Sequence, residues 1–301
     1  MKSRELKTPL SIAEQRSKLA SHGICFSKYD EKKVEQILFR ANYYRITGYA
    51  LQFRKKRSES DCIEGTEFGD ILQIYYFDAA LRNLLLRYIE PVEVKFRTVV
   101  AYTVSINHCK RAPHNQHLDI SSYYRKEDAG KILDKFYEEE SYEERPIFVQ
   151  HHSEKYGGDA PLWVMVETMP FSRLAKYYNC LLNKDKKTIA QGFGAAPDNL
   201  YNAIRCIVRL RNESAHGDRL YNTTYRREAR LTYAAHKKVV KSNSFFAYLL
   251  VLCRYLPTVE LRTNLKREFS KLLDQYDDNI VRRDLLGIPE NGLRLMNAFL
   301  H

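Results

Sequence analysis

No two of the six cysteines, Cys25, Cys62, Cys109, Cys180, Cys206 and Cys253, stand in a C-x-x-C pair. Their scatter argues against a zinc ribbon and against a disulfide framework, and it fits a reducing compartment. Long apolar runs are missing as well. The longest, Phe245 to Cys253, spans nine residues, about half of what a membrane-crossing helix needs. The opening stretch MKSRELKTPLS lacks the apolar centre of a secretory signal. The expectation is a soluble, cytoplasmic protein, in which the glycosylation-like triplets at Asn212 and Asn222 are accidents of sequence. Strand-like alternation and internal repeats are absent too. Cys109, His114 and His117 come nearest to a metal-binding group. Their spacing is loose and a fourth ligand is missing, so neither a metal nor a cofactor is expected.

What is present is a core and a strong positive charge. A chain of 301 residues with 44% hydrophobic side chains can bury a core, as one large domain or two ordinary ones. The formal charge of +12 suits a polyanionic partner without saying which. Residues 1–60 carry 14 Lys/Arg against 6 Asp/Glu, residues 61–150 carry 11 against 16, and residues 151–301 carry 24 against 15. The acidic middle owes much to Glu138, Glu139, Glu140, Glu143 and Glu144. Two basic parts flanking a groove would give this pattern, and so would solvated surface.

Helical periodicity dominates and predicts an all-α class. Ser11 and Glu14 form a capping-box pattern for a helix that Gly23 can end, and Asp30 can cap a second through about Ala41. These two short helices also resemble a helix-turn-helix. Over residues 70–104, apolar positions recur every three or four residues, with a break or kink expected at Pro91. Residues 107–160 read as a polar insertion with helical pieces, and their histidines, His108, His114, His117, His151 and His152, as loop surface. Further helices fit 162–182, interrupted at Pro170, and 199–215, 244–256, 259–275 and the last twenty residues. The corresponding divisions are a basic helical segment (1–69), a helical core (70–256) and C-terminal helices (257–301).

The segment Asn199 to Gly217 concentrates the chemistry. On a helical wheel Leu200, Ile204, Ile207, Val208 and Ala215 share a stripe, and Arg211 falls inside it. An arginine there must snorkel, pair with an acid such as Glu90 or Glu93, or face an interface or ligand. A second face carries Arg205, Arg209, Asn212 and His216, which is a phosphate track or a solvated ridge. Arg211 and His216, five residues apart, point about 140° from each other on a straight helix. A backbone turn at Gly217, or two copies of the helix meeting, would bring them to one phosphate.

The hexapeptide from Arg211 to His216, RNESAH, resembles the R-x4-H motif of HEPN ribonucleases, and its surroundings resemble the Abi-type (AbiD/AbiF-like) abortive-infection proteins of bacteria. The segments Arg40 to Ala50, Phe77 to Val99 and Pro161 to Trp163 resemble that family in matching order. Two departures stand out: Gly217 where many relatives carry a second histidine, and Ser172 where they carry glycine. The resemblance implies a HEPN-like helical bundle and metal-independent RNA cleavage by Arg211, Asn212 and His216. It also implies a toxin role in anti-phage defence, a homodimer with a composite site, and a possible inhibitory partner, either structured RNA or protein. Arg205, Arg209 and Arg219, with Tyr43, Tyr44 and Arg45, are the candidate RNA contacts. The alternatives are a non-catalytic RNA-binding regulator and a DNA reader using residues 11–41.

Overall fold

The computed structural model describes residues 6, 8–58, 60–138, 145–158 and 160–300. Glu139, Glu140, Glu143 and Glu144 of the acidic run lie outside the described residues, as does the side chain of Glu138. Among the described residues, the protein is all-α apart from one pair of two-residue parallel strands, β1 (Ile24–Cys25) and β2 (Thr66–Glu67), which periodicity did not reveal. Among the described residues, no helix is long and apolar enough to cross a membrane. The chain divides into two compact units, Met1–Leu81 with Lys271–Arg282, and Arg82–Ser270 with Arg283–His301.

In the first unit, α1 (Ile12–Ser21) starts at the expected capping box, with Ser11 and Glu14 bonded reciprocally. α2 (Glu31–Ala41) starts at Asp30, whose carboxylate accepts from the Lys33 amide at 2.7 Å. The link between α1 and α2 contains β1 and exceeds the three or four residues of a helix-turn-helix turn. Asn42 then adopts a φ of 62°, which Asn tolerates better than most residues, and its side chain caps α3 (Tyr43–Thr47) through the Tyr44 amide. Ile46 and Tyr49 turn inward, and the Tyr49 hydroxyl donates to Asp78 at 2.7 Å inside the core. Gln52 donates to the carbonyl of Ile280, tying the distant segment of this unit to its N-terminal part.

α4 (Phe68–His108) begins in this unit and continues into the second, passing Pro91 without a break. Of the break or kink expected there, the break is absent. A proline inside a helix costs about 3 kcal/mol. Leu85, Ile89, Val92 and Phe96 are buried around it at spacings of four, three and four. At about 1.5–3 kcal/mol each, their burial outweighs that cost.

The second unit continues with α5 (Lys126–Glu138), α6 (Ile147–Lys155), α7 (Leu162–Thr168), α8 (Phe171–Cys180) and α9 (Asn183–Gln191). After these come α10 (Pro197–His216), α11 (Ala234–Val239), α12 (Phe245–Tyr255) and the start of α13 (Val259–Asp274). Pro170 separates α7 from α8, as anticipated. α12 is buried at every position except Arg254 and forms the apolar centre against which α10 packs. Phe96 meets Phe171, Tyr178 and Phe193 edge-on, joining α4 to α8 and the turn after α9. The last twenty residues form two 3-10 turns, Arg283–Leu286 and Gly292–Phe299, not the expected α-helix.

His114 is exposed in a loop, as expected, and His151 is exposed too, whereas His117 and His108 are packed into the fold. His117 is buried, with Nδ1 3.5 Å from Cys109 Sγ and Nε2 3.1 Å from the Ala160 carbonyl. His108 pairs with buried Asp185 at 2.8 Å, and His151 and His152 lie within α6. His114 Nδ1 lies 2.9 Å from the carbonyl oxygen of Cys109. Among the described residues, no three His, Cys, Asp or Glu side chains cluster as a metal site.

Candidate active site on helix α10

Pro197 occupies the first turn of α10, where its missing N–H costs nothing, and Gly217 ends the helix in the left-handed conformation at φ 70°. The Asp218 amide reaches back to the Glu213 carbonyl at 2.8 Å, closing a Schellman turn. The helix stays regular through His216, and the chain turns only after it. Leu200, Ile204, Ile207 and Val208 are buried against neighbouring helices, among them α8, α9 and α12. Ala215, assigned to the same stripe, is exposed, because the buried face of the last turn runs through Glu213 and Ser214 instead.

Arg211 lies at the edge of this surface, its side chain 41% exposed and its Nε 3.9 Å from Glu93 Oε2 on α4. The distance makes the contact Coulombic and not a hydrogen bond. Glu93 is also bonded by Arg97, which donates in addition to the Val166 carbonyl. The carboxylate of Glu93 therefore serves two guanidinium groups.

The ridge proposed from the wheel is present on one face. Arg205 and Asn212 are half-buried, and Arg209 and His216 are exposed. Arg209 Nε donates to Glu213 at 2.6 Å. Burial pushes the Glu213 carboxyl above the usual carboxylate range, opposed by the neighbouring Arg209 charge. Arg219 is half-buried just beyond the helix, and its carbonyl accepts from Thr223.

Tyr43, Tyr44 and Arg45 belong to the first unit. Tyr44 is 72% exposed and meets the Tyr43 ring edge-on. Arg45 is exposed beside them.

Three features went unrecognised in the sequence. One is the buried carboxylate of Glu213. The others are Arg226 and Arg227, which with Arg205 and Arg209 line a cleft of about 570 Å³ floored by Tyr225 and Tyr248. Those two rings stack at 4.0 Å and are themselves buried. The basic doublet follows the motif region closely, but no periodicity connects a loop residue to a helical ridge.

No curated protein and no solved structure matches the chain. The sequence model of the family described as Abi-like protein matches residues 36–222, from within α2 to beyond the end of α10. That match spans more than half of the chain, and the protein belongs to the Abi-like family.

Proposed function

We propose that this protein is a HEPN-type endoribonuclease of the AbiD/AbiF-like kind, acting as a toxin in abortive infection. Membership of the Abi-like family suggests abortive infection as the setting. The observation that carries the chemistry is the placement of His216, exposed on the last turn of α10, beside a basic ridge and five residues from a guanidinium anchored on Glu93.

In this reading the RNA supplies its own nucleophile. The 2′-hydroxyl attacks the adjacent phosphorus while His216 takes its proton, as imidazole can near neutral pH. Arg211 stabilises the charge that builds on the phosphoryl oxygens, and Asn212 orients the histidine or binds an oxygen. The bond from phosphorus to the 5′-oxygen breaks, and the leaving oxygen takes a proton from solvent. The products are a 2′,3′-cyclic phosphate and a 5′-hydroxyl. DNA, lacking the 2′-hydroxyl, survives.

The regular course of α10 through His216 supports a composite site. The turn at Gly217 comes too late to bring His216 round to Arg211, which favours the reading in which two copies of the helix place both on one phosphate. On α4, near Glu93, the exposed residues Val94, Thr98, Tyr102 and Ile106 run as i, i+4 neighbours. In a homodimer a second copy covers this apolar run. The test incubates purified protein with labelled single-stranded RNA in EDTA, beside His216→Ala and Arg211→Ala. Cleavage by the parent alone supports the proposal. RNA bound but uncut by all three supports the alternative of a non-catalytic RNA-binding regulator.

A further inference from the structure

Besides the arginine cleft, a second concavity shares Arg205 in its lining. It measures about 550 Å³ and lies between α5, α8 and α10. Lys131 and Lys135 come from α5, Arg173 and Lys176 from α8, and Arg205 and Tyr201 from α10. The only acid lining it, among the described residues, is Asp128. The arginine cleft has no acid in its lining among the described residues. Arg205 belongs to both concavities.

The geometry points to one continuous track for the backbone of single-stranded RNA, running from the α5–α8 cleft over Arg205 into the arginine cleft and on toward His216. It extends the ribonuclease reading, which supplies the identity of the polyanion as RNA. At 1.5 Å per residue, Arg205 and His216 are about 16 Å apart along the helix axis. RNA held by both clefts is therefore gripped several nucleotides away from the cut, on one side of it.

The two clefts divide the work by chemistry. In the arginine cleft the tyrosine rings are buried and stacked on each other, so bases find no open aromatic face and the protein grips phosphates there. In the α5–α8 cleft Tyr201 is half-exposed, which gives one base a ring to stack on. Basic clefts of about 550 and 570 Å³, one with an aromatic platform, suit a single strand. A duplex is instead read by its shape over a broad surface.

The experiment measures binding of non-cleavable 2′-deoxy oligonucleotides, about four and about twelve nucleotides long, across a salt series. Three double variants are compared with the parent: Lys131→Glu with Lys176→Glu, Arg226→Glu with Arg227→Glu, and Lys110→Glu with Arg111→Glu as a matched control outside both clefts. All six positions are exposed, so the fold is retained. The parent should bind the longer strand more tightly. Each cleft variant should lower that affinity by on the order of tenfold at 0.1 M salt and reduce the salt slope by about 0.7 for each phosphate no longer neutralised. The control should do neither, and Tyr201→Ala should weaken binding without changing the slope.

An equal drop in the control, or unchanged affinity in the cleft variants, overturns the track. Preference for an anionic vesicle over the oligonucleotide overturns it too. Because the strands cannot be cut, absence of ribonuclease activity leaves this result intact and counts only against the catalytic reading.

Discussion

Arg211 reaches from α10 to within 3.9 Å of Glu93 on α4, and that same carboxylate is held by Arg97. One carboxylate thus holds both guanidinium groups. Glu93→Gln keeps the shape and removes the charge. Arg97 then loses the charge of its partner in a nearly buried place, at a cost of about 2 kcal/mol. Arg211 loses its anchor as well. Both a lower Tm and slower cleavage are expected, and the comparison that matters is with Arg97→Met, which removes the Arg97 charge and leaves Glu93 for Arg211. If the two variants lose stability and cleavage in the same ratio, Glu93 has no positioning role toward Arg211.

Glu213 makes the stability depend on pH in a defined direction. Burial raises its folded value above the ordinary 4.5, so the native state holds this proton more tightly than the unfolded chain. The contribution is complete below that ordinary value and is lost as pH rises through the folded one. Glu213→Gln does not titrate, so its Tm relative to the parent should climb as pH rises above the ordinary 4.5. Melting curves across that rise check it; a difference that is flat or falls with pH rules it out.

Gly217 is fixed by its φ of 70°. A side chain there costs roughly 1 kcal/mol, less for asparagine than for alanine. Stability should therefore fall in the order Gly217, Gly217→Asn, Gly217→Ala, read as denaturant midpoints. Equal midpoints would mean that the turn relaxes freely.

Complementation tests the composite site. On the proposed function, Arg211→Ala and His216→Ala should each be inactive alone and should form mixed dimers in which one of the two sites keeps both residues. An equal mixture should recover roughly a quarter of parental activity, since about half of the dimers are mixed. No recovery, in a preparation shown to exchange subunits, places both residues of a site on one chain.

In the first unit, Tyr49→Phe removes the 2.7 Å hydrogen bond to buried Asp78. The carboxylate then lacks one donor in the core, at about 1–3 kcal/mol. A matching drop in the unfolding midpoint is expected, with RNA cleavage intact in the folded protein. An unchanged midpoint would show that Asp78 is fully satisfied by other groups.

Local chemistry was legible from the residues. The Ser11–Glu14 box, the Asp30 cap, the separation at Pro170 and the stop at Gly217 all appear where expected, because each depends on a few neighbouring residues. The helix through Pro91 was not legible, since burial around Leu85, Ile89, Val92 and Phe96 overrides a local penalty. The strand pair was missed because it joins residues 24–25 to 66–67 with no alternation to announce it. Glu213 reads as one more surface charge until packing against neighbouring helices closes over it.

The sequence by itself determined the helical class, the amphipathic order of α10, and the offset between Arg211 and His216, because helical periodicity is a property of the backbone. Tertiary structure alone decided that Glu93 is the acid beside Arg211, that Glu213 is buried, and that lysines of α5 and α8 meet Arg205 across one cleft. These groups are distant in the chain. Only packing of the helices, driven by burial of their apolar faces, brings such charges close enough to act on one another.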